Sequence, residues 1–240
     1  MLDGVRPSYA TGFAQWPGMS EYPHLWRGLV GAWCPPLGMT GSRLLDWSGK
    51  GIHGTLVGNT AWVPGKFGPC LSFDGTDDYV DVGANTNNLG ISNDLNYTVA
   101  VTAKWPSYGA PGDQRPLVSS YFGVSYSLRI VEGADSAHGV VRLVHDDAIL
   151  SSGVLVAGPW YYIVQTYRGS DHFAEIYIDG VLSNSGTVND AFLLGTYPVF
   201  IGYDNVVKFW NGLINDVMIF NRALSASEIQ QLYHLQMRLA

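Results

Sequence analysis

From residue 28 onward the chain is a succession of short β-type runs, each closed by a turn signal, and this pattern restricts the fold more than any other feature. The runs are Leu29–Cys34, Cys70–Phe73, Tyr79–Val82, Tyr97–Trp105, Tyr126–Val131, Val140–His145, Trp160–Tyr167, Glu175–Ile178 and Ile214–Phe220. In Tyr97–Trp105 the alternation is strict: Val99 and Val101 point one way, Thr98, Ala100 and Thr102 the other. Such a strand has one face to give to a core. Asp179-Gly180, between Ala174 and Ser183, can take the positive φ angles of a two-residue hairpin turn that matches strand twist. Asp74-Gly75 is a second turn of similar chemistry. No fixed-period repeat runs through the chain, which excludes solenoids and propellers.

Composition agrees. A length of 240 residues suits one all-β unit of about 200–250 residues. With 14% charged and 47% hydrophobic residues the chain can fill a core, and disorder and coiled coil are excluded. Only Glu21, Glu132, Glu175 and Glu228 are glutamates among 20 acids, and the excess of Asp favours turns over helix interiors. A net charge of −7 with 13 scattered Lys and Arg supplies no basic footprint, so no nucleic-acid partner is expected. No apolar stretch reaches the roughly 18 residues of a membrane span, and the first residues lack the basic head and apolar run of a signal peptide. Cys34 and Cys70 form no CxxC pair and read as buried thiols.

Two units follow. Residues 1–27 form an arm rich in Pro and aromatics, expected to pack along a surface of its own domain or of a neighbouring subunit. Residues 28–240 form a β-sandwich domain closed by a carboxy-terminal helix. Ser225-Ala-Ser-Glu228 fits a capping box, and Ile229, Leu232 and Tyr233 make the apolar stripe with which a helix lids a sheet.

Four blocks in order resemble the laminin-G-like jelly-roll family, part of the concanavalin A-like lectin and glucanase architecture. They are Gly28–Trp33, Asp46–Leu56, Val63–Val82 and Phe209–Ser225, with the Trp160 strand and the Tyr177–Val181 hairpin between them. The resemblance covers about residues 28–235 and implies two antiparallel sheets packed face to face. It also implies a bound Ca²⁺, with Asp46 and Asp216 at the matching positions and turn carbonyls completing the shell. Related sequences often carry a paired acid before the last strand, where this one has Asn215-Asp216. Single-domain members without an export signal resemble those encoded in bacteriophage genomes, which implies a virion surface component.

Catalytic signatures are absent. The glucanase branch needs paired acids in a Glu-x-Asp-x-Glu strand, and none exists here. No Gly-x-Ser-x-Gly elbow occurs, and Ser170-Asp-His172 lies in a turn between strands. Gly49–Gly54 satisfies GxGxxG, but a strand follows it rather than the helix a pyrophosphate requires. Asp74, Asp77, Asp78 and Asp81 lack EF-hand spacing and read as a turn plus the polar face of a strand. Among the aromatics, Trp33, Trp105 and Trp160 are expected between the sheets, and Tyr108 and Tyr121 as exposed rings suited to sugar stacking.

The expectation is therefore a non-enzymatic binding module at the virion surface, as a capsid decoration or fibre-associated protein. It would make homo-oligomeric contacts, meet other virion proteins and touch host-surface glycans. The alternative is an extracellular carbohydrate-binding module with a calcium-supported site, and a glycoside hydrolase of the glucanase branch comes third.

Overall fold

A computed structural model of the chain describes residues 22–35, 39–91, 95–106, 113–120, 126–132, 138–145, 148–188 and 197–237. Tyr108, Tyr121 and most of the amino-terminal arm lie outside these residues. In chain order the first eight strands are β1 (Leu29–Trp33), β2 (Arg43–Leu44), β3 (Gly54–Val57), β4 (Ala61–Gly65), β5 (Gly68–Asp74), β6 (Tyr79–Asn85), β7 (Tyr97–Lys104) and β8 (Gln114–Ser119). There follow β9 (Tyr126–Glu132), β10 (His138–His145), β11 (Ala148–Val156), β12 (Tyr161–Arg168), β13 (Phe173–Ile178), β14 (Val181–Thr187), β15 (Pro198–Ile201), β16 (Asn211–Phe220) and the helix α1 (Ala226–Met237).

The strands form two eight-stranded sheets, antiparallel throughout. Sheet A runs β14-β13-β12-β7-β16-β5-β4, with β1 also paired to β16, and sheet B runs β11-β10-β9-β8-β15-β6-β3-β2. The ten-residue β16 is the hub of sheet A. It pairs with β7 along its length, with β5 through Asn211–Ile214 and with β1 through Val217–Phe220. A bulge between Ile214 and Asp216 separates these halves.

Alternation sorts the side chains between two cores. Val99, Val101, Ile163, Val217 and Ile219 of sheet A meet Val80, Val82, Leu128, Ile130 and Val199 of sheet B in the central core. Trp33 and Trp105 are buried there, as their strands predict. Trp160 is not: it sits half-buried just before β12, its ring edge-on to Phe67. The strand begins one residue later than the aromatic run suggests, so Trp160 ends outside the alternating register.

A second cluster covers the outer face of sheet A. Ala100, Tyr162, Val164, Met218 and Phe220 pack under Ile229, Leu232 and Leu235 of α1 and under Leu25. Leu25 belongs to a 3-10 turn, Pro23–Trp26, so the described end of the arm packs on its own domain. The capping box forms as its spacing predicts. Glu228 Oε2 accepts from the Ser225 N–H at 2.8 Å, and Ser225 Oγ accepts from the Glu228 N–H at 3.4 Å. The Asp179-Gly180 hairpin has φ of 51° and 79°, the positive pair that its turn type requires. Cys34 and Cys70 are buried and unbridged.

Candidate functional site

Asp46, singled out for calcium, is a structural knot. Its Oδ1 accepts from the N–H groups of Ala32 (3.0 Å) and Ser48 (2.8 Å). Its Oδ2 accepts from Ser48 Oγ (2.8 Å) and the Ile52 N–H (3.0 Å). A carboxylate offers about four lone-pair sites, and protein donors use them to pin the Gly49–Gly54 turn against β1. Gly49 and Gly51, at φ 84° and 73°, give that turn its left-handed corners, as the sequence suggested in place of a phosphate loop.

Asp216, the other expected ligand, lies fully covered beneath α1. Its Oδ2 accepts from Asn215 Nδ2 (2.6 Å) and Gln236 Nε2 (2.9 Å), while Gln236 Oε1 accepts from Thr102 Oγ1 (3.0 Å). Burial pushes the Asp216 carboxyl up to about 7, against the opposing pull of hydrogen bonds from Asn215 and the Cys34 thiol. Protein donors thus engage both oxygens of Asp46 and the Oδ2 of Asp216, whose Oδ1 is buried without a hydrogen-bond partner among the described residues.

Among the described residues, the acids that converge are Asp74, Asp77 and Asp78, whose ligand oxygens lie within 4.8 Å of one another. Gly75, at φ 83°, folds the chain back between them. Asp78 is buried, its Oδ1 accepting from the Asn59 N–H and its Oδ2 from the Asp74 N–H at 2.9 Å. Burial raises its pKa, the two N–H bonds oppose this, and the charges of Asp74 and Asp77 raise it further. Oxygen donors crowded in this way fit a hard divalent cation by chemistry. Asp81 stands apart and accepts from the Gly83 N–H at 2.8 Å.

The two outer faces of the sandwich differ. That of sheet A is sealed by α1, whereas that of sheet B carries a tier of rings and a row of charge. Val80 and Val82 point inward from β6, and Val199 and Ile201 from β15, which leaves Tyr79 and Phe200 on the outer face. The Tyr79 ring lies 4.9 Å from Tyr203, and Tyr203 stacks on Phe209 at 4.6 Å and 12°. Tyr79, Tyr203 and Phe209 are each half-buried, so ring surface reaches solvent.

The segment 203–209 that carries two of these rings is held by Asp204, whose Oδ1 accepts from the N–H groups of Val206, Val207 and Lys208, all at 2.9 Å. Ser119 Oγ donates to the Tyr203 carbonyl at 2.6 Å, tying the segment to β8. On the same face Arg129 of β9 stands directly opposite Arg142 of β10. Arg129 Nε donates to Ser127 Oγ (3.1 Å) and its Nη1 to Gln114 Oε1. Lys208 Nζ pairs with Asp113 at 2.9 Å. Sequence reading did not find this face. Its residues come from five separate segments, and only the register of β9 on β10 reveals that Arg129 and Arg142 are neighbours.

A family model described as concanavalin A-like lectin/glucanases superfamily, of laminin-G type, matches residues 74–230. No curated protein sequence matches the chain. Among solved structures it resembles domain 4 of a GH43 extracellular arabinanase from Geobacillus stearothermophilus, solved with arabinotriose, at 18% identity and TM-score 0.65, covering 85% of this chain and 98% of that one. It resembles a sialidase mutant from Trypanosoma rangeli displaying trans-sialidase activity, at 19% identity and TM-score 0.63, covering 94% of this chain but 34% of the sialidase. It also resembles botulinum neurotoxin type C, from a study of its cell entry through two ganglioside molecules, at 16% identity and TM-score 0.66, covering 89% of this chain and 52% of that one. The chain thus spans about a third of the sialidase and half of the toxin chain.

These neighbours correct the expectation that the chain is not an enzyme, since the same architecture occurs within an arabinanase and sialidases. That expectation rested on missing catalytic signatures, the Glu-x-Asp-x-Glu strand and the Gly-x-Ser-x-Gly elbow among them, and their absence does not separate this fold from glycan-active enzymes.

Proposed function

Because the chain belongs to the concanavalin A-like lectin/glucanase superfamily, we propose that it is a glycan-binding domain whose ligand stacks on the ring tier of sheet B. The observation that carries this reading is the stacked, half-buried set of Tyr79, Tyr203 and Phe209 on the outer face of sheet B, which no helix covers among the described residues. Flat apolar rings match the C–H faces of pyranose and furanose sugars, and the Asp204 clamp holds two of them in place without a ligand. The arabinanase domain solved with arabinotriose supports the same reading, since this chain covers nearly all of it. The test is calorimetric titration with neutral and acidic oligosaccharides, for the full chain and for Tyr203→Ala and Phe209→Ala. Binding in the micromolar to millimolar range that falls about tenfold or more in each variant supports the assignment, and absence of binding across the panel overturns it.

The calcium ion implied by the family resemblance would find oxygen ligands at Asp74, Asp77 and Asp78 more readily than at Asp46 and Asp216. A melting temperature raised by calcium and returned by chelator is the corresponding check. A second reading is homo-oligomeric assembly with other virion proteins at a virion surface. It is favoured by the exposed Val154 and Val156 of β11 and Val181 and Leu182 of β14, on the neighbouring edges of the two sheets. Light scattering that gives a monomer at high concentration removes it.

A further inference from the structure

We propose that the glycan bound on the outer face of sheet B is acidic, and that Arg142 receives its carboxylate. This rests on the glycan-binding reading and narrows it to a substrate class. Arg142 and Arg129 occupy directly opposed positions on β10 and β9, an arrangement in which like charges repel. Arg129 is satisfied from within the protein. It is 5% exposed, it donates to Ser127 and Gln114, and the Asp204 charge acts on it. Arg142 differs, because its side chain is half-exposed and its buried Nε has no hydrogen-bond acceptor.

Charge on this face does not balance among the described residues. Asp113 takes both Lys208 at 2.9 Å and Arg115 at 3.9 Å. Asp204 is the acid beside Arg129, and its Oδ1 is already used by the loop N–H groups. Arg142 is therefore the surplus cation, in a chain whose net charge is −7. The buried Nε draws no acceptor from the described residues, and the accessible terminal nitrogens of the same guanidinium can take an arriving carboxylate in a bidentate, charge-assisted pair.

Geometry sets the ligand's size. The Tyr203 ring packs on Phe200 of β15 and Tyr79 of β6, and β9 and β8 lie between these strands and β10, so three to four strand spacings of about 4.8 Å each part the guanidinium from the rings. A sugar stacked on Tyr203 thus places at Arg142 a unit two or three further along the chain. The ligand class is an oligosaccharide of three or more units with a uronic or sialic acid two or three units from the stacked sugar.

The test measures affinities of the full chain for a galacturonate oligosaccharide and for sialyllactose, each beside its neutral counterpart, galactose oligomer and lactose. The expected result is binding of at least one acidic member about tenfold tighter than its neutral partner, the size a single ion pair gives, and weakening as salt rises from about 50 to about 300 mM. In Arg142→Gln the acid-to-neutral ratio should fall to near one, and in Arg142→Lys it should be only partly kept, because an ammonium lacks the fork. Equal affinity for acidic and neutral ligands, or a preference untouched in Arg142→Gln, overturns this inference and leaves the glycan-binding reading intact. No binding to any of the four overturns both. Circular dichroism and melting of each variant check that it has folded.

Discussion

The buried carboxyl of Asp216 makes a sharp prediction about stability and pH. An aspartate at an ordinary 3.8 that is held at about 7 by burial binds its proton more tightly in the folded chain than in the unfolded one. Between pH 4 and 7 the unfolded chain has released that proton and the folded chain has kept it, so stability falls as pH rises through this window. At 1.36 kcal/mol per pH unit the full penalty above pH 7 is about 4 kcal/mol. Asp216→Asn removes it while keeping an oxygen that can accept from Gln236 and Asn215. The amide must still be desolvated, so the net gain at pH 8 should be about 2–4 kcal/mol, a rise in melting temperature of roughly 5–15 °C for a domain of this size. At pH 4, where the wild-type carboxyl is already neutral, the two proteins should melt close together. The assay is thermal unfolding followed by circular dichroism at pH 4, 6 and 8. Melting curves for wild type and variant that run parallel across this range would refute the reasoning, since the carboxyl would then titrate alike in both states. Asp216→Ala is the control. It lifts the same penalty but leaves the Gln236 and Asn215 amides without their acceptor, so it should be less stable than Asp216→Asn at every pH.

Three further outcomes follow from the same structure. Asp46→Ala removes the acceptor of four donors, from Ala32, Ser48 and Ile52, that tie the Gly49–Gly54 turn to β1, and should cost about 2–4 kcal/mol in urea unfolding, with the response to calcium unchanged. Burial opposes ionisation of Glu228, but the Arg222 guanidinium and the Ser225 N–H and hydroxyl outweigh it and hold the carboxyl down to about 2. Its contribution is complete above pH 4.5 and lost as pH falls toward 2, so acid titration should destabilise wild type more than Glu228→Gln, and Ser225→Ala should cost about 1 kcal/mol near neutrality. Gly212 has φ 143°, and a Cβ there would stand 2.4 Å from the Lys104 carbonyl oxygen, so Gly212→Ala should sharply reduce soluble yield and melting temperature, as expression and thermal unfolding will show.

Strands that alternate against the central core were legible in the sequence, as Tyr97–Lys104 and Tyr161–Arg168 illustrate. Those that were missed have physical reasons. β14, Val181–Thr187, was legible only where it leaves the Asp179-Gly180 hairpin turn, because it is the outermost strand of sheet A and almost wholly exposed, so nothing requires its remaining residues to alternate. β4 and β8 carry Pro64 and Pro116, which count against a strand in sequence, and Pro64 is tolerated because β4 is an edge. The candidate site was less legible still. Asp46 looked like a metal ligand because its motif was visible, while the four donors that occupy it come from both sides of a turn. Asp74, Asp77 and Asp78 read as a turn, and they are one, but their convergence depends on the left-handed Gly75. Arg129 and Arg142 are joined by nothing in the sequence except the strand register.

The position of β16 also bears on how the chain is made. Among the described residues it is the last strand in chain order, yet it alone joins β5 and β4 to β7, β12, β13 and β14, and it carries β1 as well. Until it emerges from the ribosome, sheet A exists as two unconnected pieces and the amino-terminal strand has no edge to join. Pairing across nearly the whole chain closes late and slowly, and the waiting apolar faces of β5 and β7 are open to other chains meanwhile. A chain cut short of β16 should therefore yield an insoluble product rather than a smaller domain.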